Sequence, residues 1–278
     1  MTALAELRDS QDLLVNLTLR EVRGKYKRTV FGQLWSLANP IAQMATYSVI
    51  FALVLRQTPD PGTPSGLDVF ALWLAAGLIP WLFFGNVVTT GMASLVSNAN
   101  LIQKVYFPRE TLVIANTASW LLTFAIEMLV VVAAILGYQL IDDGTGALRH
   151  SPLVYLPVTI LLMVLLTAFG LGIAFMLSVA NVYFRDTQHF IGILMQVWFY
   201  ATPIVYPLKL VSDSHPDLAF VLRLNPLERF VEAFRNTLYD GRLPSLGTSL
   251  FLVVVSALVL AAGYALFKRY EGRLAEEL

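Results

Sequence analysis

The sequence lacks cysteine, has few charged residues and contains none of the short motifs that mark common enzymes. The absence of cysteine excludes disulfides and thiolate-ligated metals. No G-x-x-x-x-G-K-[ST], H-E-x-x-H or G-x-S-x-G pattern occurs, and the three histidines, His150, His189 and His215, are far apart in the chain. We therefore expect no catalytic residue, no metal site and no cofactor site in this chain.

Apolar residues are present in excess. They make up 57% of the sequence against 14% charged residues, and the mean hydropathy is +0.67. Runs of roughly twenty apolar residues indicate helices that cross a membrane, because such helices satisfy their own backbone polar groups. Six runs are predicted to span: 35–55, 69–92, 111–138, 153–180, 190–208 and 246–267. The fold class is therefore an all-α polytopic membrane protein.

The distribution of positive charge predicts the orientation of these spans. We find no apolar signal-peptide core in the first thirty residues, so the N-terminus is expected in the cytoplasm. In that orientation twelve of the nineteen Lys and Arg residues are internal, as the positive-inside rule requires. The predicted organisation is a single membrane domain over residues 1–278, with a cytoplasmic N-terminus (1–34), a six-helix part (35–267) and a cytoplasmic tail (268–278).

The stretch 13–40, LLVNLTLREVRGKYKRTVFGQLWSLANP, carries a basic amphipathic pattern into the first predicted span. Arg20, Arg23 and Lys27 lie beside one apolar helical face. The residues of that face are Val15, Leu19, Val22, Tyr26, Val30 and Leu34. Such a helix can lie at a membrane interface with its cations at the lipid phosphates. An ordinary solvated helix is the alternative.

A second amphipathic helix is predicted in the segment 207–244, which is too charged to span and too apolar for a free loop. Its apolar stripe is Leu227, Val231, Phe234 and Leu238, and Glu228, Arg229, Glu232 and Arg235 oppose that stripe. Asn225 and Pro226 provide a cap and a first helical residue. We expect interfacial or re-entrant helices on the outer side before the last span; a plain surface helix is the alternative.

Two intramembrane features have more than one interpretation. Glu127 lies inside the third predicted span, where an unpaired carboxylate costs on the order of 3 kcal/mol. It can face a pore, bond another helix or belong to a proton relay, although a relay normally requires further ionisable groups. Gly170 and Gly172 in the fourth span are interpreted as sites of close helix packing.

Aromatic side chains lie deeper in the spans than anchoring at the membrane interface explains. Flat amphipathic rings stack against sugar faces and also serve as interface anchors. We therefore predict an aromatic substrate path. Its residues are Tyr47, Phe51, Trp198, Phe199, Tyr200 and Tyr206.

Several motifs in order along the chain resemble those of one family. They are LREVRGKYKRTVFGQLWSLANP (19–40), GLIPWLFFGNVV (77–88), NANLIQKVYFPRE (98–110), FRDTQHF (184–190), FYATPIVYP (199–207) and LNPLERFVEAFR (224–235). With these motifs the chain resembles the membrane (permease) subunits of type-2 ABC exporters. That group moves polysaccharides, O-antigen-like glycans and teichoic acids across the bacterial inner membrane.

The resemblance implies a homodimeric channel with two separate ATPase subunits that bind ATP and Mg²⁺. It places Pro203, Tyr206, Asn225 and Pro226 at the outer channel mouth, and it makes the N-terminal helix and two internal loops the contacts with the ATPase. The implied coupling residues are Arg20, Arg23, Lys25, Lys27, Leu101, Gln103, Lys104, Tyr106, Arg109, Arg185 and Asp186. The cations of the N-terminal helix thus have two candidate partners, lipid phosphates and an ATPase groove.

The function implied by the resemblance is ATP-driven export of a lipid-linked polysaccharide or a related cell-envelope polymer, as in lipopolysaccharide or teichoic acid biosynthesis. Nucleic acid is not an expected partner. An exporter of a drug, small lipid or haem-type cargo would share this architecture. A membrane-embedded glycosyltransferase would need clustered carboxylates, and the adjacent pair Asp142 and Asp143 is better explained by a turn beside Gly144.

Overall fold

The structure, a computed structural model, describes residues 11–25, 27, 29–56, 59–105, 107–142 and 151–277. The first half contains α1 (Gln11–Lys25), α2 (Trp35–Tyr47), α3 (Phe70–Ser97), α4 (Ala99–Lys104) and α5 (Glu110–Asp142). The second half contains α6 (Leu156–Tyr183), α7 (Thr187–Tyr200), α8 (Leu208–Ser214), α9 (Pro216–Arg223), α10 (Pro226–Arg235), α11 (Leu246–Tyr270) and α12 (Leu274–Glu277). Wider π-helical turns, Ser48–Val54 and Asn236–Asp240, continue α2 and α10.

Five helical segments are long and apolar enough to cross a membrane. They are Gly32–Val54, Phe70–Ser97, Glu110–Ile141, Leu156–Tyr183 and Leu246–Arg273. Each agrees with one of the predicted spans, and no strand occurs in the described ranges. The prediction of an all-α polytopic membrane protein is therefore confirmed.

The predicted span 190–208 has a different structure. Helix α7 has 14 residues and ends at Tyr200, so it is about 21 Å long against a hydrocarbon core of about 30 Å. Turns follow, because Pro203 has no N–H to continue the helix and disfavours helical geometry at Thr202. The count of six continuous spans is thus not confirmed in the described part of the chain.

Helix α3 is the centre of the bundle and packs against α5 and α6, while α6 packs against α11. In its most apolar stretch α3 is 72% buried, whereas α2 is only 6% buried. Contacts between helix ends define two ends of the bundle. At the α4 end, the Lys268 ammonium of α11 lies 2.6 Å from the Glu110 carboxylate of α5, and Tyr183 of α6 contacts Tyr270. The opposite end, which holds α8 to α10, is called the α10 end.

Glycine allows the closest helix crossing. A Cβ atom on Gly172 of α6 would lie 2.5 Å from the carbonyl oxygen of Val259 in α11, and Gly263 faces Gly172 across the same crossing. A Cβ atom on Gly170 would lie 3.2 Å from Val87 of α3. The interpretation of Gly170 and Gly172 as packing residues is confirmed.

Helix α1 is the predicted N-terminal amphipathic helix, but it is shorter than its apolar pattern. It ends at Lys25, so Val30 and Leu34 are not part of its face. Leu17 is its buried residue, and Val15 and Leu19 point outward. Helix α1 packs on α5 with a neighbouring face. Val15 and Leu19 stay open to lipid or to another chain, as expected of an interfacial helix, while Val22 is half-buried and Tyr26 lies outside the described residues.

Helix α10 agrees with the prediction in its apolar stripe and its start. Leu227, Val231, Phe234 and Leu238 are all buried. The Asn225 side chain accepts a hydrogen bond of 3.0 Å from the Leu227 amide, as a cap does. Glu228, expected on the polar face, is only 3% exposed, because α10 packs against α3, α6 and α11 and is enclosed on more than one side.

Candidate functional site

A groove of about 360 Å³ runs between α2, α3 and α7. We call it the aromatic groove. Its walls are formed by aromatic rings, side-chain amides and small apolar groups. The lining residues are Gln43, Tyr47, Trp81, Leu82, Gly85, Asn86, Thr89, Met195, Gln196, Phe199 and Tyr200.

The rings of the aromatic groove support one another. Tyr47 stacks on Phe199 with a centroid separation of 5.9 Å, and Trp81 meets Phe199 edge-on at 5.6 Å. Phe199 in turn contacts Tyr200 at 5.2 Å, and Tyr200 is 58% exposed. The packed rings fix the wall, while the exposed part of Tyr200 is accessible to a ligand.

This combination of groups suits a carbohydrate. Aromatic faces stack on the C–H faces of sugars, and they lose little conformational entropy because each ring has two rotatable bonds. Amides both donate and accept hydrogen bonds, as hydroxyl-rich ligands require. The Gln43, Asn86 and Gln196 amides provide such groups beside Tyr47 and Tyr200. The groove can therefore hold a sugar chain without fixing one register.

Three of the six predicted path residues line the groove: Tyr47, Phe199 and Tyr200. Trp198 points away from it, packs on Phe84 and donates a hydrogen bond of 3.0 Å from Nε1 to Asn225 Oδ1. Phe51 contacts the Tyr47 ring at 6.4 Å, and the Tyr206 hydroxyl donates to the Tyr200 carbonyl at 2.8 Å. These last two residues border the groove without being part of its wall.

Sequence reasoning missed the polar half of the groove. Gln43 and Gln196 are isolated amides within apolar runs, and Asn86 follows Gly85 in α3. An amide inside a span is costly unless it is bonded or wetted, so these interruptions were the available signal. Trp81 was visible only as one of several aromatics in its run.

The α10 end contains a buried carboxyl group at Glu228. Its Oε2 atom has no hydrogen-bond partner among the described residues. Burial, followed by repulsion from the Glu232 carboxylate, raises the pKa of Glu228 from 4.5 to about 7, although Arg229, Arg223 and Arg235 oppose that shift. In the folded protein this group therefore stays protonated at pH values where an exposed carboxyl is ionised.

We expect Glu228→Gln to remove part of the pH dependence of stability. Glu228 binds its proton more tightly in the folded state than in the unfolded state. Protonation of Glu228 therefore stabilises the fold, fully below about pH 4.5, and this stabilisation is lost as pH rises through about 7. Between these pH values the free energy of unfolding of the wild type should therefore fall by about 1–3 kcal/mol more than that of the variant. Thermal unfolding in detergent from pH 5 to 8 measures the difference. Asp217→Asn, at an exposed position of α9, is the control, and identical profiles for Glu228→Gln and wild type would contradict the assignment.

The residues expected to contact an ATPase lie at the α4 end. On α1, Arg23 and, just beyond the helix, Lys27 are exposed. The Arg20 guanidinium donates at 2.8 Å to Asn98 Oδ1, at the junction of α3 and α4. Lys25 differs from the expectation, because its ammonium is buried against the Trp120 ring, 3.3 Å from the ring centroid, and does not lie on the outer surface.

The two connections at this end place the other coupling residues. On α4, Gln103 and Lys104 are exposed and Leu101 is half-buried, while Tyr106 lies outside the described residues. The Arg109 amide donates at 3.1 Å to a Glu271 carboxylate oxygen, and its guanidinium donates to the Glu271 carbonyl, so Arg109 is tied to the end of α11. Arg185 and Asp186 are exposed between α6 and α7.

Glu127 is buried on α5 and interacts electrostatically with Lys25 of α1. The sequence treated this carboxylate as isolated, because Lys25 lies about a hundred residues earlier in the chain. The packing of α1 on α5 brings the two charges together. Of the three interpretations of Glu127, an interaction with another helix is therefore the one for which the structure provides a partner, Lys25 of α1.

Comparisons with known proteins agree with this architecture. The sequence profile of the ABC-2 type transporter family matches residues 12–239. The chain is 31% identical over 269 residues to an O-antigen export system permease protein RfbA of Klebsiella pneumoniae, and the alignment covers 96% of this chain and 95% of that protein. It is 29% identical over 273 residues to the protein of the same name from Myxococcus xanthus, with 98% of each chain covered. It is also 25% identical over 258 residues to the polysialic acid transport protein KpsM of Escherichia coli, with 92% of each covered.

The family profile covers every span in the described structure except the last, together with the aromatic groove and the two connections at the α4 end. The relatives extend this similarity over nearly the whole chain. The chain is a multi-pass membrane permease that belongs to the ABC-2 type transporter family, as its motifs predicted.

Proposed function

We propose that this permease exports a lipid-linked polysaccharide or a related cell-envelope polymer across the bacterial inner membrane. The observation that carries the proposal is the aromatic groove, in which Tyr47 and Tyr200 lie beside the Gln43, Asn86 and Gln196 amides. The names of the relatives, which refer to O-antigen export and polysialic acid transport, support a polysaccharide cargo. This chain acts by conducting the polymer and not as an enzyme.

The energy for export comes from a separate ATPase in this proposal, since the sequence contains no nucleotide-binding motif. The ATPase binds ATP and Mg²⁺ and docks at the α4 end. Its contacts are the exposed residues of α1, α4 and the α6–α7 connection, with Arg23, Lys27, Lys104 and Arg185 as the cations. Both termini then lie on the cytoplasmic side, and residues 1–278 act as one membrane domain.

Two copies of the chain form the channel in this proposal. Helix α2 supports it, because an apolar helix only 6% buried within its own chain must be covered by lipid or protein. Helix α7 also has an outward apolar face, formed by Phe190, Ile193 and Val197. The aromatic groove lies between these two helices and α3, so pairing through them would bring two grooves to one central path.

The double variant Tyr47→Leu with Tyr200→Leu tests the cargo. Leucine keeps the apolar bulk and removes the flat faces. For each lost contact between a ring and a sugar we take the value of an aromatic pair, about 0.5–1.5 kcal/mol. We expect export of the glycan to fall about tenfold, with a parallel loss of glycan-stimulated ATP hydrolysis. Export by the permease–ATPase complex in proteoliposomes measures this effect.

Tyr155→Leu is the matched control, because this half-buried tyrosine at the start of α6 does not line the groove. Its export should equal that of the wild type at equal membrane levels. If the double variant retains both export and stimulation by glycan, the aromatic path is wrong. Stimulation by an apolar drug, a small lipid or haem, and not by glycan, would favour the second candidate cargo class.

A further inference from the structure

A second cavity, of about 700 Å³, lies between α1, α3 and α5 in the half of the bundle towards the α4 end. We call it the α1 pocket. Its charged lining residues are Arg20, Glu21 and Lys25, all from α1. The facing walls from α3 and α5 are neutral; they carry hydroxyl and amide groups together with Ala93, Leu112 and Trp120. It does not share its charged wall with the aromatic groove, and the proposed function leaves it without a role.

Lys25 is the most unusual group in this pocket. Its ammonium is buried and finds no hydrogen-bond partner among the described residues, although it lies over the Trp120 ring. Burial lowers the pKa of Lys25 to about 7, while the charges of Glu21 and Glu127 act in the opposite direction. Glu21 and Glu127 act on this charge without accepting a hydrogen bond from it. An ammonium has three donors and no acceptor, so an anion that enters the pocket would supply the acceptors that the described residues do not.

Arg20 adds a second cation at the rim of the pocket. Its guanidinium donates at 2.8 Å to Asn98 and at 2.9 Å to Glu21, and its side chain is about half exposed. These bonds hold it beside α3 and leave other N–H groups of the guanidinium available. Arg20 and Lys25 lie five residues apart on one helix and both line the cavity.

The neutral wall offers acceptors instead of donors. The hydroxyl groups of Thr89 and Ser94 donate to carbonyls of their own helix, at 2.7 Å in each case, so their lone pairs remain for a ligand. Trp120 Nε1 donates at 2.8 Å to Thr90, and Thr90 donates at 2.7 Å to Asn116, which fixes the indole ring. The Lys25 ammonium covers one face of this half-buried ring. The part of the ring that lines the pocket, with hydroxyl acceptors around it, suits a sugar ring.

We propose that the α1 pocket binds a phosphate ester joined to a sugar, with the phosphate at Lys25 and Arg20 and the sugar against Trp120 and the α3 hydroxyls. This inference rests on the proposed function and deepens it, since it places the charged headgroup of a lipid-linked glycan at the α4 end. A phosphate ester can also come from bulk anionic phospholipid. The two sources share the charge, and only the first has a sugar attached directly to the phosphate.

The experiment measures binding to the permease–ATPase complex in phosphatidylcholine nanodiscs. The probes are a polyprenyl diphosphate that carries one N-acetylglucosamine, the free polyprenol and phosphatidylglycerol. We expect Lys25→Gln to weaken binding of the diphosphate sugar at least about tenfold, as the loss of a charge-assisted hydrogen bond does. Arg269→Gln removes one charge from an exposed position on α11 and is the matched control. The free polyprenol should not compete.

Lys25→Arg and Trp120→Phe are conservative variants that distinguish loss of the binding site from loss of the fold. Arginine keeps the cation and should retain most of the binding, while phenylalanine keeps a ring without the bond to Thr90 and should weaken binding of the diphosphate sugar alone. Phosphatidylglycerol could bind as tightly as the diphosphate sugar, with the same weakening by Lys25→Gln and no change in Trp120→Phe. That result would assign the pocket to bulk lipid. Binding that responds no more to Lys25→Gln than to Arg269→Gln would overturn the site.

Failure of this inference is distinguishable from failure of the proposed function. If Lys25→Gln leaves binding intact while Tyr47→Leu with Tyr200→Leu lowers glycan export, the α1 pocket is wrong and the cargo is right. If Lys25→Gln weakens binding while the groove variant exports normally, the pocket binds a phosphate ester and the aromatic path is wrong.

Discussion

Replacing Arg235 by methionine is expected to lower the free energy of unfolding by about 3–5 kcal/mol. The guanidinium of Arg235 donates at 2.8 Å to the carbonyl of Pro203 and at 2.6 Å to the carbonyl of Ile204. It also lies 3.5 Å from the centroid of the Trp73 ring. One side chain thus joins the turn after α7, helix α10 and the start of α3.

The large effect follows from what methionine leaves behind. The Pro203 and Ile204 residues are buried, so their carbonyls would lose partners in a place that water does not reach. Glu228 would lose a neighbouring positive charge while it stays buried. Methionine has similar length and supplies no donor, so it tests the hydrogen bonds more than the volume of the side chain.

Lysine is not expected to replace arginine at this position. Two carbonyls at different positions match the planar fork of a guanidinium, whereas an ammonium is a point charge on a flexible stem. The guanidinium of Arg235 also packs closely against α3, since a Cβ atom on Gly77 would lie 2.9 Å from Arg235 Nη2. Gly77→Ala should therefore destabilise in the same direction by a smaller amount.

Arg229→Met on the same helix is the control, since Arg229 makes an exposed bond to the Arg223 carbonyl and should cost about 1 kcal/mol or less. Thermal unfolding of the purified chain in detergent compares the variants. Equal unfolding temperatures for Arg235→Met and Arg229→Met would contradict this role for Arg235.

The sequence predicted the parts of this fold that depend on local composition. Continuous apolar runs determine α3, α5, α6 and α11, because length and hydropathy suffice for a membrane span. The same reasoning failed at α7, where apolar residues continue through the break at Thr202 and Pro203. A hydropathy scale does not take into account that Pro203 lacks an N–H group. The Arg235 side chain, which donates to the Pro203 and Ile204 carbonyls, lies some thirty residues later in the chain.

The candidate site was predictable in its aromatic part and not in its charged part. Tyr47, Trp198 and Tyr200 were selected by their depth in the spans, and Phe199 belongs to the same aromatic cluster. Tyr47, Phe199 and Tyr200 line one groove, whereas Trp198 does not. Lys25 was grouped with Arg20, Arg23 and Lys27 because the family resemblance assigns this basic stretch to the contact with an ATPase. Its burial depends on which face of α1 meets α5, and the helical pattern predicted only the face that meets lipid.

Reversing two charges on the N-terminal segment, Arg23→Glu with Lys27→Glu, is expected to abolish export while ATP hydrolysis continues. Both side chains are exposed; Arg23 lies in the last turn of α1, and Lys27 lies just beyond the helix. Arg20 ties the same helix to the α3–α4 junction, and α1 also packs on α5. A force applied to α1 by an ATPase would thus reach helices that wall both cavities.

Lipid phosphates are the competing partner for these cations. The attraction of an anionic membrane surface is worth about 1 kcal/mol for each Lys or Arg near that surface. Loss of lipid contacts alone would weaken α1 docking in the absence of any ATPase. Loss of an ATPase contact would leave the isolated permease as stable as the wild type and separate hydrolysis from transport only in the complex. Thermal unfolding of the permease alone and export by the complex therefore distinguish the two partners.

Lys209→Glu with Arg223→Glu is the matched double reversal at the α10 end, where both side chains are exposed and outside both cavities. It changes the net charge equally and should keep export coupled to hydrolysis. A crosslink from Lys27 to the ATPase, lost in the α1 variant, would give the contact directly. Export at the wild-type rate by Arg23→Glu with Lys27→Glu would exclude α1 as the route by which the energy of ATP hydrolysis enters this chain.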